Sequence, residues 1–552
     1  MSLPARPWVE GLTFAQALAR TAERCGAHDA LVFPWLNLRR SYADFRADVR
    51  AAARALLALG VQPGEHVGVW ATNWPQWVVL QFATAHVGAV LVNINPAYRS
   101  HELAYVLNQA DITTLFLTDQ FKTSNYFDLL ASVCPELPDA SFPRLRHVIS
   151  IQAHKRPGML DWDEFRRRGA EVPEAALQQR EAAVRPEDVV NIQYTSGTTG
   201  FPKGAMLTHR NLLLNAYYVG DRLAFTDRDR LAIPVPFYHC FGCVMGTLMC
   251  ALYGAAMVIP AESFDPLATL QAIHQERCTA VYGVPTMFIA QLNHSRFSEF
   301  DLRSLRTGIM AGSPCPIEVM RAVVDKMGAR AITIAYGLTE ASPVITQTRT
   351  TDSLEHRVGT VGTVLPGLEV RIAAPGTTEP LPAGQAGELL VRGHAVMKGY
   401  YNKPAETAAA VTPDGWLHTG DLAVQTSDGY YRITGRIKEV IIRGGENVYP
   451  REVEEFLYTH PKIADVQVVG LPDEKLVEEV SAWVRVKPGM ALTEEEVRDF
   501  CRGRIAHYKV PRYVAFVDEF PTTVTGKVQK FKLREMGIAR FGLQKAAGME
   551  TA

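Results

Sequence analysis

The chain has almost no excess of charge. Its 57 Lys and Arg against 58 Asp and Glu leave a formal net charge of −1, so bulk electrostatics gives it no pull toward nucleic acid or an anionic membrane. A secretory leader is not expected either. The opening "MSLPARPWVEG" has no apolar stretch and meets an acid at Glu10, which argues against a signal or transit peptide. The closing "AAGMETA" matches no lipidation or peroxisomal address. Cysteine is scarce: eight residues are scattered over 552, and Cys240 and Cys243, the one C-x-x-C pair, have no second pair nearby. Buried inert thiols are expected there rather than zinc or redox chemistry, and a reducing cytoplasm fits. Leu231 to Ala261 contains no Asp, Glu, Lys or Arg, long enough on length alone to span a membrane. Pro234, Pro236, Pro260, Gly242, Gly246 and Gly254 interrupt it, so it reads as strand, helix, turn and strand, all buried. Internal repeats and low-complexity tracts are absent.

What is present is an ordinary globular composition, 47% hydrophobic and 21% charged. The length predicts about three to four units. The first two-thirds alternates strand and helix. "HVGVW" (His66–Trp70) is a predicted strand, followed by a helix with Asn73 as cap and Pro75 in its first turn. "AVLVNIN" is the next strand, and Ser100 is expected to cap "HELAYVLNQA". After Pro186 the rhythm returns: strand Val189–Tyr194, helix near Asn211–Tyr218, strand Leu231–Val235, helix near Phe241–Leu252 and strand Ala256–Ile259. Such βα repetition implies a mostly parallel sheet covered by helices, with ligands at the carboxyl ends of its strands. Residues 140–185 read as a loop-and-helix connector.

From about Gly359 short strands with Gly and Asp-Gly turns predict an antiparallel β subdomain. A compact αβ mixture follows "GRIKEVIIRGGENVYP". The expected division is an N-terminal domain at 1–436, with subdomains at about 1–185, 186–358 and 359–436, and a small α+β domain at 437–552.

Five stretches carry chemistry. "YTSGTTGFPKGA" (Tyr194–Ala205) is rich in hydroxyls and glycine, with Lys203 its one charge. Thr195, Ser196, Gly197, Thr198, Thr199 and Gly200 can present hydroxyls and N–H groups to a polyphosphate. It is not a Walker A loop, because Pro202 separates Gly200 from Lys203. "YGLTE" (Tyr336–Glu340) offers an aromatic for a base, a hydroxyl for a phosphate oxygen and a carboxylate for Mg²⁺. "HTGDLA" puts Asp421 in a turn, where it can accept two ribose hydroxyls, and "ITGR" puts Arg436 at a strand end. "PTTVTGKVQK" puts Lys527, a mobile point charge, on the small domain. Taken singly, each also reads as a turn, a cap or a solvated surface residue.

In this order and spacing the five stretches resemble the adenylate-forming superfamily: acyl-CoA synthetases, amino-acid adenylation domains and firefly-type luciferases. The likeness spans nearly the whole chain. "YTSGTTGFPKG" is its most specific element, and "PVPFYHCFG", "MAGSPCP" and "VYGVPTMF" look closest to medium-chain fatty-acyl-CoA synthetases of the acyl-CoA synthetase family member 2 type. The resemblance implies that family's α/β fold with a mobile C-terminal domain, and ATP, Mg²⁺ and coenzyme A as reactants. The glycine-hydroxyl loop would clamp the β- and γ-phosphates. Tyr336 and Gly337 would meet adenine, with Gly312 and Ser313 lining the base. Thr339 would meet the α-phosphate, Glu340 the Mg²⁺, and Asp421 with Arg436 the ribose. Lys527 would bridge the substrate carboxylate and the α-phosphate. Lys438 matches the hinge, and Gly444 and Gly445 the pantetheine path.

Amino-acid adenylation domains hold the substrate ammonium with an acid, and Pro236–Gly246 has none. The implied wall, Phe237, Tyr238, His239, Phe241, Met245, Tyr282, Met287 and Phe288, is apolar and adaptable. It suits a fatty acid or another hydrophobic carboxylic acid, with aryl acids the competitor. His239 is its one polar group, either a carboxylate contact or gate or a satisfied core histidine. A non-catalytic ATP/AMP sensor on the same fold is the reading from another class, and Lys527 and Glu340 speak against it. The resemblance leaves room for a homodimer.

Overall fold

The computed structural model describes residues 7–195, 202–313, 315–444, 446–523 and 526–547. Two large sheets form its frame. In the nine-stranded sheet, Ala331–Gly337, Thr307–Met310, Ala280–Gly283, Arg230–Ala232, Ala256–Val258 and Asp29–Phe33 lie side by side in parallel. Short antiparallel strands close both of its edges. The eight-stranded sheet is parallel through Val189–Thr195, Val90–Asn93, His66–Trp70, Ile112–Leu117 and His147–Ser150. These strands are short and apolar because helices cover both faces. The main core draws Val67, Val69 and Leu91 from one sheet and Leu31, Leu231 and Met257 from the other.

Several local expectations needed correction. Before the expected helix near Asn211–Tyr218, the strand Val189–Thr195 makes a return that the sequence did not announce. It turns back as an antiparallel hairpin with Lys203–Thr208, and the helix His209–Arg222 follows. The connector at 140–185 contributes the strand His147–Ser150 to the eight-stranded sheet and carries the helices Trp162–Arg168 and Glu174–Ala183. The helix Pro75–His86 starts after Trp74, with Pro75 in its first turn. Asn73 instead turns its side chain to the Pro234–Phe237 segment, donating to the Val235 carbonyl at 3.1 Å and accepting from the Phe237 N–H at 2.8 Å. Ser100 is the first residue of its helix, not the cap.

The apolar stretch from Leu231 folds as expected into strand, helix, turn and strand. The helix runs from Cys240 to Tyr253 with a π-helical segment at Cys243–Leu248. Among the described residues no helix is long and apolar enough to cross a membrane. The antiparallel β region comprises Leu368–Ala373, Gly387–Gly393, Leu417–Gln425 and Tyr431–Arg436. Beyond it, Ile441–Arg443, Glu446–Val448, Ile463–Asp473, Val477–Val486 and Tyr513–Phe516 form a separate sheet with its own apolar cores, one around Val466 and Leu457, the other around Trp483 and Leu533.

Candidate active site

The carboxyl ends of the parallel strands gather the predicted residues. Strand Ala331–Gly337 delivers Tyr336 and Gly337 at its end, with Thr339 and Glu340 in the 3₁₀ turn that follows. Strand Thr307–Met310 delivers Gly312 and Ser313. Gly312 has φ +87°, and a Cβ there would stand 3.1 Å from Val284 Cγ1, so the turn demands glycine.

Asp421 and Arg436 meet by register. They are directly opposed residues of the antiparallel pair Leu417–Gln425 and Tyr431–Arg436. Arg436 Nε donates to Asp421 Oδ1 at 2.8 Å, and the Tyr336 hydroxyl donates to Oδ2 at 2.8 Å. The buried Asp421 thereby fixes the tilt of the Tyr336 ring. Its charge in turn raises the Arg436 pKa, against desolvation, and with burial it pushes the Tyr336 phenol upward.

Glu340 sits in a second knot. Its Oε1 accepts from the Tyr400 hydroxyl at 2.7 Å. The Lys203 ammonium lies 4.4 Å from the centre of the Tyr400 ring, a cation–π contact. Tyr400 is in place because Gly399–Tyr400 pairs with the returning strand of the hairpin. One Glu340 oxygen is held by Tyr400; a carboxylate oxygen is the ligand chemistry that suits a hard cation such as Mg²⁺. The sequence reading missed Tyr400. A hydroxyl-bearing aromatic in "KGYYNKP" gave no sign of whom it would face.

Lys527 arrives from the C-terminal unit. The Gly526 carbonyl accepts from Thr286 Oγ1 at 3.3 Å, and a Cβ at Gly526 would stand 3.0 Å from Val284 Cγ2. That contact carries Lys527 over Arg436, Asp421 and His239. Desolvation in the interdomain cleft, then the Arg436 charge, lower its pKa to about 8. Lys527 as a whole residue is exposed, so solvent screens its charge in part.

His239 Nδ1 accepts from the Phe241 N–H at 3.2 Å and caps the following helix. Desolvation and the nearby Lys527 charge drop its pKa to about 4, so the ring is neutral at pH 7, with Nε2 carrying the proton. Cys240 and Cys243 are buried thiols; burial lifts Cys240 to about 12 and Cys243 higher still.

The predicted acyl wall divides. Phe237, Phe241, Met245, Tyr282 and Met287 are all packed in the main core, Phe237 against Trp77 and Tyr282 against Phe241. Tyr238 and Met287 border a small cleft with Thr72, Asn73, Phe121 and Phe264. Glu262 lies in the same cleft, its carboxyl raised by desolvation. The segment 236–246 does lack an acid, as its sequence says, but the cleft borrows one from a neighbouring strand end.

Lys438 stands exposed in the turn Ile437–Glu439, one residue past Arg436's neighbour in the chain. Gly444 turns the hairpin between Ile441–Arg443 and Glu446–Val448 at φ +58°, against Leu476 of the same unit. Of the glycine-hydroxyl loop, Thr195 and Lys203 are its described ends, where the hairpin pairs them. Ser196, Gly197, Thr198, Thr199 and Gly200 lie outside the described residues, as does Gly445.

With this geometry in hand, the class follows. Residues 18–401 match the AMP-binding enzyme family and 452–527 its C-terminal domain; the chain belongs to the AMP-binding enzymes. Among relatives, it is 50% identical over 539 residues to the provisionally named acyl-CoA synthetase YngI of Bacillus subtilis, covering 96% of this chain and 98% of that one. It is 43% identical over 545 residues to the mitochondrial medium-chain acyl-CoA ligase ACSF2 of Danio rerio, covering 97% and 90%. The crystal structure of the anthranilate CoA ligase AuaEII in complex with anthranoyl-AMP superposes with a TM-score of 0.86 at 27% identity, covering 96% of this chain and 98% of that one. The expected adenylate-forming fold is the observed one.

Proposed function

We infer that the protein is an ATP-dependent fatty acid–CoA ligase. It activates a carboxylate as an acyl-adenylate, releases pyrophosphate, and passes the acyl group to the thiol of coenzyme A. The observation that carries the reading is Lys527, brought by a separate unit onto the Asp421–Arg436–Tyr336 cluster.

A carboxylate is a poor nucleophile approaching an anionic phosphate, so the site must supply position and positive charge rather than a general base. Asp421 holds the ribose hydroxyls and, through the Tyr336 hydroxyl, sets the ring that stacks on adenine. Gly337, Gly312 and Ser313 shape the rest of that slot. Thr339 donates to the α-phosphate. Lys203 and the glycine-hydroxyl loop hold the β- and γ-phosphates. Glu340 would hold Mg²⁺, which when bound would supply positive charge at the departing pyrophosphate. Lys527 lies between the carboxylate and the α-phosphate. His239, neutral and donating from Nε2, orients the carboxylate without adding charge. The second step uses another placement of the unit 437–552, turned about Lys438, so that Gly444 and Gly445 line the pantetheine path. All eight cysteines are unpaired and buried, which suits a reducing compartment such as the cytoplasm.

Two predictions follow from the contacts. Tyr400→Phe removes the donor that fixes Glu340, and should raise the Mg²⁺ concentration needed for half-maximal activity by about tenfold. An unchanged Mg²⁺ dependence, measured by titration at saturating ATP, would detach Tyr400 from the metal. For the acid, each added methylene that leaves water for an apolar wall gains up to about 0.8 kcal/mol, or roughly fourfold in kcat/KM where binding is expressed in the transition state. Specificity should climb along even-numbered straight-chain acids from butanoate and turn over at medium length. Met287→Trp, at the cleft, should move the maximum to shorter acids. Benzoate or 4-coumarate above every alkyl acid would overturn the fatty-acid reading and leave the adenylation chemistry standing.

A further inference from the structure

We propose that Cys25, His28 and Asp227 form a zinc site at the pole of the N-terminal domain opposite the nucleotide cluster. One sulfur, one imidazole nitrogen and one carboxylate oxygen come within 4.8 Å of one another there. The Cys25 Sγ to Asp227 Oδ2 separation is 3.8 Å. Zinc bond lengths and a tetrahedral angle place such an S···O edge at about 3.5 Å, close to this separation, and the imidazole closes in from within 4.8 Å.

Local structure accounts for the convergence. Cys25 ends the helix Phe14–Cys25, and the His28 N–H donates to the Cys25 carbonyl at 2.9 Å. That tight turn brings the two ligands of "CGAH" together, a C-x-x-H spacing of the kind metal sites use. Asp227 comes from the turn Thr226–Asp229. This turn is held by the Thr226 N–H on Asp229 Oδ2 at 2.9 Å and by Arg306, which grips both Asp229 oxygens at 2.9 and 2.7 Å. The backbone of Gly254 forms the floor. It has φ +78°, and a Cβ there would stand 2.6 Å from Cys25 Sγ and 3.4 Å from Asp227 Cβ. Glycine is therefore what lets the sulfur and the carboxylate approach.

The donors choose the ion. A thiolate excludes Mg²⁺ and Ca²⁺, and one sulfur with one imidazole and one carboxylate suits Zn²⁺ with a water as fourth ligand. Arg24 Nε stands 3.4 Å from the sulfur, and its guanidinium is tethered by the carbonyls of Leu252 and Tyr253 at 3.3 and 3.1 Å. Binding forms the Zn–S bond and releases the thiol proton to the buffer. His28 is exposed and provides the way in. The parallel strands starting at Arg230, Ala280 and Thr307 run away from this pole toward His239, Met287 and Gly312. A metal here touches none of the reacting groups. It ties the end of the first helix to the turn before the sheet.

The test uses the full-length protein, stripped of metal and titrated with Zn²⁺ against a chromophoric chelator. One equivalent should bind. Binding should weaken about tenfold or more in His28→Ala and in Asp227→Asn, both surface changes that leave the circular dichroism spectrum unaltered. Co²⁺ in place of Zn²⁺ should give a sulfur-to-metal charge-transfer band that is lost in Cys25→Ser. Zn²⁺ should raise the Tm of the parent protein and not that of His28→Ala. No equimolar binding, or binding of unchanged strength in both variants, would overturn the site and leave a Cys25–Asp227 hydrogen bond as all there is.

Discussion

Lys527→Ala should lower acyl-adenylate formation by about 10²–10³-fold, the loss expected when a group that stabilises transition-state charge is removed from a desolvated site. Thioester formation from a supplied acyl-adenylate should fall far less. The asymmetry follows from geometry and charge: Lys527 reaches Asp421 and Arg436 in the placement where Gly526 rests on Thr286, and only the first half-reaction opposes two anions at phosphorus. The same residue sets a pH dependence. With its pKa lowered to about 8, the ammonium is charged below that pH and neutral above it. The kcat/KM for adenylation should therefore fall as pH rises through about 8, and the Lys527→Ala variant should lose that limb. Equal losses in both half-reactions would show that Lys527 serves something other than the first step.

Lys438→Pro should do the reverse. Proline fixes φ near −65°, and the 3₁₀ turn Ile437–Glu439 already demands a value of that sign. The variant should keep the placement seen here, with Lys527 over Asp421 and Arg436. Adenylation should stay within about twofold of the parent, and acyl transfer to coenzyme A should drop by about 10²-fold, as for a conformational step blocked at its hinge. Separate single-turnover assays of the two half-reactions decide it. Unimpaired overall turnover would move the hinge elsewhere in the chain.

Motif-bearing strand ends were legible because glycine, hydroxyl and charge in fixed order are local facts. Tyr336, Asp421 and Arg436 could be named from sequence, but not their mutual arrangement. It depends on the cross-strand register of Leu417–Gln425 with Tyr431–Arg436, which no periodicity displays. The hairpin strand Lys203–Thr208 was overlooked because six residues after a proline look like the approach to the next helix. His147–Ser150 was overlooked because a four-residue strand with only Val148 and Ile149 apolar has no period to measure. Asn73 was read as a cap, whereas tertiary packing used both ends of its amide to hold Val235 and Phe237. The acyl wall was least legible. Sequence order offered eight neighbours; the fold buries Phe237, Phe241, Met245, Tyr282 and Met287 in the main core and Phe288 in a second one, and it sets Glu262, which no motif pointed to, in the cleft that Tyr238 and Met287 border.

The central claim is that a fatty carboxylate is joined to AMP before coenzyme A enters. Acid-dependent exchange of labelled pyrophosphate into ATP, measured on the purified protein with octanoate and Mg²⁺ and no coenzyme A, tests it most directly. The account predicts exchange that requires the acid, and, once coenzyme A is added, octanoyl-CoA and AMP formed in equal amounts. No exchange with any acid from butanoate to hexadecanoate or with benzoate, or ADP in place of AMP, would contradict it.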